Sequence, residues 1–159
     1  KLLRLILTFI TTLYLFFFSL SIIFFLNLEI ENNNLILLFL LSISISTDIG
    51  GYCFGKFFKG KKLTKISPNK TYSGLFGSFI LSLIVSFIFF RDLDISSNYL
   101  IITLILSMIS QIGDLLISFL KRKAKIKDSG KFLPGHGGLL DRLDGILFSI
   151  PMGIIILYL

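Results

Sequence analysis

Three aspartates lie toward the same end of otherwise apolar segments: Asp48, Asp114 and Asp144. A carboxylate at the centre of a membrane helix costs about 2.5–3.5 kcal/mol, so those that occur are usually functional. Their common position predicts one shared site. Asp141 and Asp144 are three residues apart, so on a helix they share a face and can both reach one hard cation such as Mg²⁺. The preference of acidic residues for helix N-termini would by itself explain Asp141.

A polar block, residues 121–144, separates two apolar stretches near the C-terminus. Its histidine lies among glycines, where successive backbone N–H groups can form an anion-binding nest. Its cations can bind phosphate oxygens, Arg in bidentate fashion and Lys as a point charge. Asp128 can orient Lys127 or contact a metal. Nest, cations and carboxylates together suit phosphoryl chemistry. The residues concerned are Lys121, Arg122, Lys127, Asp128, His136, Gly137 and Gly138.

A second polar segment runs from Ser67 to Thr71. Ser67, Lys70 and Thr71 offer two hydroxyls and an amine to a nucleotide or a lipid headgroup, around a turn that contains Pro68. Taken alone, this pentapeptide is a weak indication of a binding site.

The elements that must position these residues are membrane helices. The chain has 159 residues, of which 54% are hydrophobic, and its mean hydropathy is +0.89. Repeated apolar runs of this length are typical of transmembrane helices, and no alternation typical of strands occurs. The sequence therefore predicts an all-α polytopic membrane protein with about five spans. The predicted spans are Leu5–Leu26, Leu35–Phe54, Gly74–Phe90, Tyr99–Leu120 and Leu143–Leu159.

The basic residues are distributed asymmetrically among the loops. Fifteen of the 16 precede the first span or follow the second and fourth, and only Arg91 lies on the other side. The positive-inside rule then predicts that the N-terminus and both basic loops face the cytoplasm, in the cytoplasmic membrane. The lysines are explained equally well by topology alone and by binding of phosphates or anionic lipids.

The chain is predicted to form a single membrane-embedded catalytic domain over residues 1–159, because no Pro- or Ser-rich linker divides it. Cys53 is the only cysteine, which excludes an internal disulfide or a thiolate cluster within this sequence. Gly50, Gly51 and Gly55 are predicted to allow close helix packing. Since the sequence begins at Lys1, we expect a fragment or a clipped N-terminus with further spans upstream.

In these motifs the chain resembles the phosphatidate cytidylyltransferase (CDP-diacylglycerol synthase) family. The resemblance extends from about Ser46 to Pro151, the signature region 46–151. The segments that resemble the family are Asp48-Ile-Gly-Gly-Tyr52, Ser67-Pro68-Asn69-Lys70-Thr71, Gly113-Asp114-Leu115, Ser118-Phe-Leu-Lys121-Arg122, Lys127-Asp128, Pro134-Gly135-His136-Gly137-Gly138 and Asp141-Arg142-Leu143-Asp144.

The resemblance implies a nucleotidyltransferase of phospholipid biosynthesis that joins CTP and phosphatidic acid, giving CDP-diacylglycerol and pyrophosphate. It implies Mg²⁺, with a second, monovalent cation left open, and no nucleic acid partner; a homodimer is also left open. The implied metal ligands are Asp48, Asp114, Asp141 and Asp144. The implied catalytic residues are Lys127, Asp128, His136 and Asp144. The implied substrate-binding residues are Ser67, Lys70, Thr71, Lys121, Arg122, Gly137, Gly138 and Arg142.

Two positions depart from the family pattern. Ser73 and Ile117 each stand where a glutamate is usual, which removes two negative charges near the expected site. Alternative hypotheses therefore remain: another CTP-dependent lipid phosphotransferase or kinase, an inactive relative that acts as a scaffold, or a transporter with Asp48 and Asp114 along an ion path.

Overall fold

The computed structural model describes residues 2–28, 32–64, 67, 70–89, 98–124 and 140–158; for residues 2–4, 7 and 140–142 it describes only the backbone. Within these residues the chain forms five helices and no strand, so the all-α prediction is confirmed. The helices are α1 (Leu2–Leu26), α2 (Asn33–Phe58), α3 (Tyr72–Phe89), α4 (Tyr99–Lys123) and α5 (Leu140–Tyr158).

Four of these helices are long and apolar enough to cross a membrane: α2, α3 and α4 over their whole length and α1 from Thr8 onward. The apolar part of α5 is shorter, Leu143–Tyr158. Large apolar side chains cover the outer surface, as at Phe16, Phe76 and Phe87, each of which is at least 60% exposed. This arrangement is that of a multi-pass membrane protein, whose apolar exterior faces lipid.

Hydroxyl groups occupy the interfaces between the helices. Thr47 of α2 donates a hydrogen bond to Ser107 of α4 (3.0 Å), and Ser78 of α3 donates to the Thr47 carbonyl (2.7 Å). Thr103 of α4 donates to Ser86 of α3 (2.6 Å). All five residues are buried. Small hydroxyl side chains let membrane helices approach closely and satisfy one another's polar groups.

Helices α2 and α3 pack against each other through glycines. A Cβ atom on Gly50 would lie 2.5 Å from the Gly77 carbonyl oxygen, and one on Gly74 would lie 2.5 Å from that of Gly51. The predicted role of Gly50 and Gly51 in helix packing is therefore confirmed. Gly55 belongs to the same interface, since its Cβ would contact the Thr71 hydroxyl at 3.0 Å.

Two helices extend past the C-terminal ends of the approximate spans predicted for them. Helix α2 continues past Phe54 to Phe58, and α4 continues past Leu120 to Lys123. Both extensions contain lysine, whose long aliphatic stem can lie along a helix end while its charge reaches water. Asp48 and Asp114 are consequently ten and nine residues from the helix ends, or about 15 Å at about 1.5 Å per residue. They lie further from the helix ends than the sequence indicated, with Asp48 exposed and Asp114 half-buried.

A hydrophobic core fills the half of the bundle opposite to these carboxylates. Phe25, Phe39, Leu40 and Leu106 are almost fully buried there, and Ile150 of α5 packs among them. The apolar core therefore anchors one end of the bundle, and polar residues gather at the other.

We expect Gly50→Leu to lower the thermal stability of the detergent-solubilised protein. The new side chain must displace the backbone of α3, and overpacking of this kind typically costs about 1–3 kcal/mol. Unfolding midpoints can be measured by size-exclusion chromatography after heating. Ile49→Leu, at a neighbouring position that is 50% exposed, is the control. Equal midpoints for the two variants would contradict the proposed close contact.

Candidate functional site

A cavity of about 300 Å³ opens among α2, α3, α4, α5 and the segment between α2 and α3. Six residues predicted from the sequence to form the site line it: Asp48, Ser67, Lys70, Thr71, Asp114 and Asp144. The remaining lining residues are Thr47, Gly51, Tyr52, Leu63, Gly74, Leu75, Ser78 and Gln111. The structure thus brings residues that are up to 97 positions apart in the sequence, Thr47 and Asp144, to one place.

A short hairpin between α2 and α3 positions Lys70. Lys62 and Thr71 form an antiparallel bridge, and the Leu63 N–H donates to the Lys70 carbonyl (2.8 Å). The Tyr72 N–H donates to the Lys61 carbonyl (3.0 Å) where α3 begins. These bonds fix the backbone at Lys70, so its side chain extends toward α4. The Lys70 ammonium also donates to the Gln111 carbonyl (3.5 Å).

Asp114 forms a salt bridge with Lys70. Its other oxygen, Oδ1, accepts a hydrogen bond from Ser118, one turn further along α4 (3.3 Å). The side chains of Lys70 and Asp114 are 23% and 25% exposed, so water screens the pair only in part. The hairpin and α4 are therefore joined by a charged contact on the wall of the cavity.

Asp144 is the most buried carboxylate of the cavity, with 5% of the residue exposed. Its Oδ2 lies 3.7 Å from the Lys121 ammonium, and its Oδ1 accepts a hydrogen bond from the Gly145 N–H (3.1 Å). Asp114 and Asp48 lie close enough to the Asp144 carboxyl to interact with it electrostatically. Carboxyl groups from α4 and α5 therefore lie close together in one cavity.

Asp48 approaches this pair from α2. A Cβ atom on Gly145 would lie 3.7 Å from Asp48 Oδ1 and 2.5 Å from the Ser110 hydroxyl. A side chain at position 145 would thus fill the space beside Asp144. Glycine at this position keeps the space between α2, α4 and α5 open.

The described residues contain no group of three side chains spaced to enclose one metal ion. Two carboxylates, Asp114 and Asp144, lie close together, and a third, Asp48, lines the same cavity. Mg²⁺ commonly uses one or two carboxylates and takes water and phosphate oxygens for its remaining positions. The donor set on the cavity wall therefore fits Mg²⁺ in company with a phosphate ligand.

Gln111 is a cavity residue that the sequence analysis missed. Its side-chain nitrogen is buried and has no hydrogen-bond partner among the residues that the structure describes. It precedes Asp114 by three positions, so both lie on one face of α4. Gln111 carries the one amide side chain of α4, and an amide within a membrane helix is unusual, so it could have indicated the position. Tyr52, the exposed last residue of the segment Asp48–Tyr52 that resembles the family, was likewise not assigned a role.

Several predicted residues are not placed at the cavity. Lys127, Asp128, His136, Gly137 and Gly138 lie outside the described residues. Asp141 and Arg142 lie in the first turn of α5, so the three-residue spacing of Asp141 and Asp144 does fall on a helix, but their predicted roles are not tested. Arg122 is exposed in the last turn of α4 and is absent from the cavity lining.

One of the two departures from the family pattern has a structural role here. The Ser73 hydroxyl accepts a hydrogen bond from the Gly60 N–H (3.2 Å) and pairs with the Thr71 hydroxyl (3.0 Å). Ser73 therefore packs the start of α3 against the hairpin. Ile117 is half-buried on α4 between Asp114 and Ser118.

The Lys70–Asp114 contact can be tested by a double-mutant cycle. Lys70→Met and Asp114→Asn should each lower the free energy of unfolding by about 1–2 kcal/mol, because each leaves a partly buried charge without its partner. The double variant should lose less than the sum of the two. Thermal midpoints in detergent provide the measurement, with Lys123→Met at an exposed position as control. Strict additivity would show that the two side chains are not coupled.

The chain is similar in sequence to known proteins. The model of the cytidylyltransferase family matches residues 2–159. Phosphatidate cytidylyltransferases from Staphylococcus epidermidis, Staphylococcus aureus and Staphylococcus saprophyticus are 44%, 47% and 50% identical to the chain over 110 residues. The aligned region covers 67% of this chain and 42% of each relative, so it spans less than half the length of these proteins. The chain belongs to the cytidylyltransferase family.

Proposed function

We propose that the protein transfers the cytidylyl group of CTP to phosphatidic acid, giving CDP-diacylglycerol and pyrophosphate. The observation that supports this most is the meeting of Asp114 and Asp144 from separate helices in one cavity, each within reach of a lysine. Paired carboxylates beside cations suit a polyphosphate and its metal ion. The named relatives are phosphatidate cytidylyltransferases, which supports the choice of substrates.

In the proposed reaction, a phosphate oxygen of phosphatidic acid attacks the α-phosphorus of CTP. The bond between that oxygen and the α-phosphorus forms, while the bond from the α-phosphorus to the bridging oxygen of the β-phosphate breaks. Pyrophosphate leaves with the bonding electron pair. The attacking phosphate is already anionic at neutral pH, so this mechanism requires no strong general base. The protein's main tasks are positioning and charge neutralisation.

Lys70 and Lys121 are the proposed cations for the phosphate oxygens. Both ammonium groups contact a cavity carboxylate. A bound polyphosphate would offer them a more highly charged partner, which leaves Asp114 and Asp144 available as metal ligands. Mg²⁺ held by these two carboxylates would neutralise charge on the nucleotide phosphates and the leaving group. Asp48 and Asp141 are the proposed supporting ligands.

The remaining substrate contacts are proposed for the polar block that precedes α5. Lys127, Asp128 and His136 would act beside the reacting phosphates. Gly137 and Gly138 would let the backbone approach a phosphate closely. Arg122 and Arg142, together with Ser67 and Thr71 of the hairpin segment, would bind the substrates.

The proposed orientation places the N-terminus and both basic segments in the cytoplasm. CTP then reaches the cavity from the cytoplasm, and phosphatidic acid reaches it from the inner leaflet of the cytoplasmic membrane. The charge distribution among the loops supports this orientation. Thr71, next to the start of α3, and Asp144, in the second turn of α5, both line the cavity, so it reaches the helix ends, where a lipid phosphate can approach it.

Asp144→Asn should reduce turnover by about 100-fold or more, the size of loss that follows removal of one electrostatic group at a reacting centre. Purified protein in micelles with phosphatidic acid, saturating Mg²⁺ and α-labelled CTP can be assayed by thin-layer separation of CDP-diacylglycerol. Circular dichroism should show unchanged helicity. Near-normal product formation by this variant would contradict the assignment. Label from γ-labelled CTP in the lipid product would instead indicate a lipid kinase.

Gln111→Leu should lower turnover without lowering the stability of the protein. Leucine removes a buried donor that has no partner, so the ligand-free protein should be as stable as the unmodified protein or more stable. In the proposed site the Gln111 amide turns to donate a hydrogen bond to a substrate oxygen, so turnover should fall by about tenfold. Thermal midpoints and the kinetics above test both parts. Unchanged turnover would exclude a substrate contact for Gln111.

A further inference from the structure

Four exposed lysines lie at the end of α2 and in the adjoining hairpin: Lys56, Lys59, Lys61 and Lys62. We call them the α2 basic surface. The sequence contains no acidic residue between Ile49 and Arg91, so no carboxylate nearby in the chain offsets these charges. Phe57 and Phe58 lie among them and are 83% and 63% exposed. Exposed aromatic rings flanked by lysines are typical of a segment at the boundary between lipid tails and headgroups.

This surface is continuous with the cavity at two points. Tyr52 lines the cavity, and the Lys56 ammonium donates to its hydroxyl (3.4 Å) and lies 5.5 Å from the centre of its ring. Leu63 also lines the cavity and directly follows Lys61 and Lys62 in the hairpin. The α2 basic surface therefore borders the cavity both on α2 and on the hairpin.

Tyr52 shows where the cavity opens toward the membrane. Its side chain contributes to the cavity wall, yet 67% of the residue is exposed. Its neighbours Ile49 and Cys53 are exposed on the apolar outer surface of α2. The cavity wall therefore reaches the lipid-facing surface of α2 at Tyr52.

From this arrangement we infer that the α2 basic surface is the route by which an anionic lipid headgroup reaches the cavity. The occupant is a lipid phosphomonoester, whose compact headgroup can bear a second negative charge that a phosphodiester cannot. Lysine ammonium groups attract such a headgroup while their stems lie along the apolar boundary. Identifying that lipid as the phosphatidate substrate rests on the proposed function.

A general preference for positive charge in cytoplasmic loops would also place lysines after α2. That preference requires positive charge somewhere in the loop. It does not explain why the charge lies next to the cavity residues Tyr52 and Leu63. The two explanations differ in their kinetic consequences, because a topological role ends once the protein is folded in a bilayer. Nanodiscs expose both faces of the protein, so orientation does not affect an assay in them.

The test compares Lys61→Gln/Lys62→Gln with the charge-retaining Lys61→Arg/Lys62→Arg, and uses Lys123→Gln as a control for loss of exposed charge. Initial rates are measured in phosphatidylcholine nanodiscs with increasing fractions of phosphatidic acid. The glutamine variant should need about fivefold more phosphatidic acid for half-maximal rate. Its kcat and its KM for CTP should stay within about twofold of the unmodified values. The arginine variant and Lys123→Gln should match the unmodified protein. An unchanged lipid requirement, or an equal rise in the KM for CTP, would overturn the inference.

A binding measurement distinguishes a failure of the proposed lipid route from a failure of the proposed cytidylyl transfer. Native mass spectrometry of detergent-released protein can count retained phosphatidic acid, phosphatidylglycerol and phosphatidylcholine. The unmodified protein should retain phosphatidic acid preferentially, and the glutamine variant should lose that preference. Lysine-dependent retention without any CDP-diacylglycerol formation would support the surface and contradict the proposed function. Normal product formation, with equal retention of phosphatidic acid by the glutamine and arginine variants, would contradict the role of the α2 basic surface and leave the proposed function standing.

Discussion

The proximity of two carboxylates inside a membrane helix bundle is the constraint on which the rest of the site depends. Asp114 of α4 and Asp144 of α5 would repel each other at low dielectric if both were charged and unpaired. Lys70 from the hairpin and Lys121 from the end of α4 offset that repulsion. The two ion pairs thereby connect the hairpin to α4 and α4 to α5. Removing one partner would leave an uncompensated charge within a partly desolvated cavity.

The helix bundle supports this arrangement because one of its ends is apolar and the other is polar. Apolar residues such as Phe39 and Leu106 fill one end, where they can pack without polar groups. Toward the other end, glycines bring α2 and α3 into backbone contact, and the hydroxyls of Thr47 and Ser107 join α2 to α4. Polar interfaces are suited to helices whose outer surfaces face lipid, because the hydrophobic effect does not drive their association there. The charged cavity lies within this polar part of the bundle.

The sequence predicted the helices and the convergence of carboxylates, but not the depth or pairing of those carboxylates. Hydropathy identifies apolar runs and omits helix ends that contain lysine, so Asp48 and Asp114 were expected nearer the ends of α2 and α4. The contact of Lys70 with Asp114 depends on a hairpin whose bonds join residues that no periodic pattern connects. Gln111 was missed because its orientation depends on how α4 is rotated against its neighbours.

The most direct test of the shared carboxylate site is a measurement of Mn²⁺ binding to purified protein in nanodiscs. Electron paramagnetic resonance monitors the binding of Mn²⁺ in the presence of CTP. Asp114→Asn and Asp144→Asn should each weaken Mn²⁺ binding by about tenfold or more, since both carboxylates are proposed to hold one ion. Lys123→Gln should bind Mn²⁺ as the unmodified protein does. Undiminished Mn²⁺ binding by both aspartate variants would contradict the account.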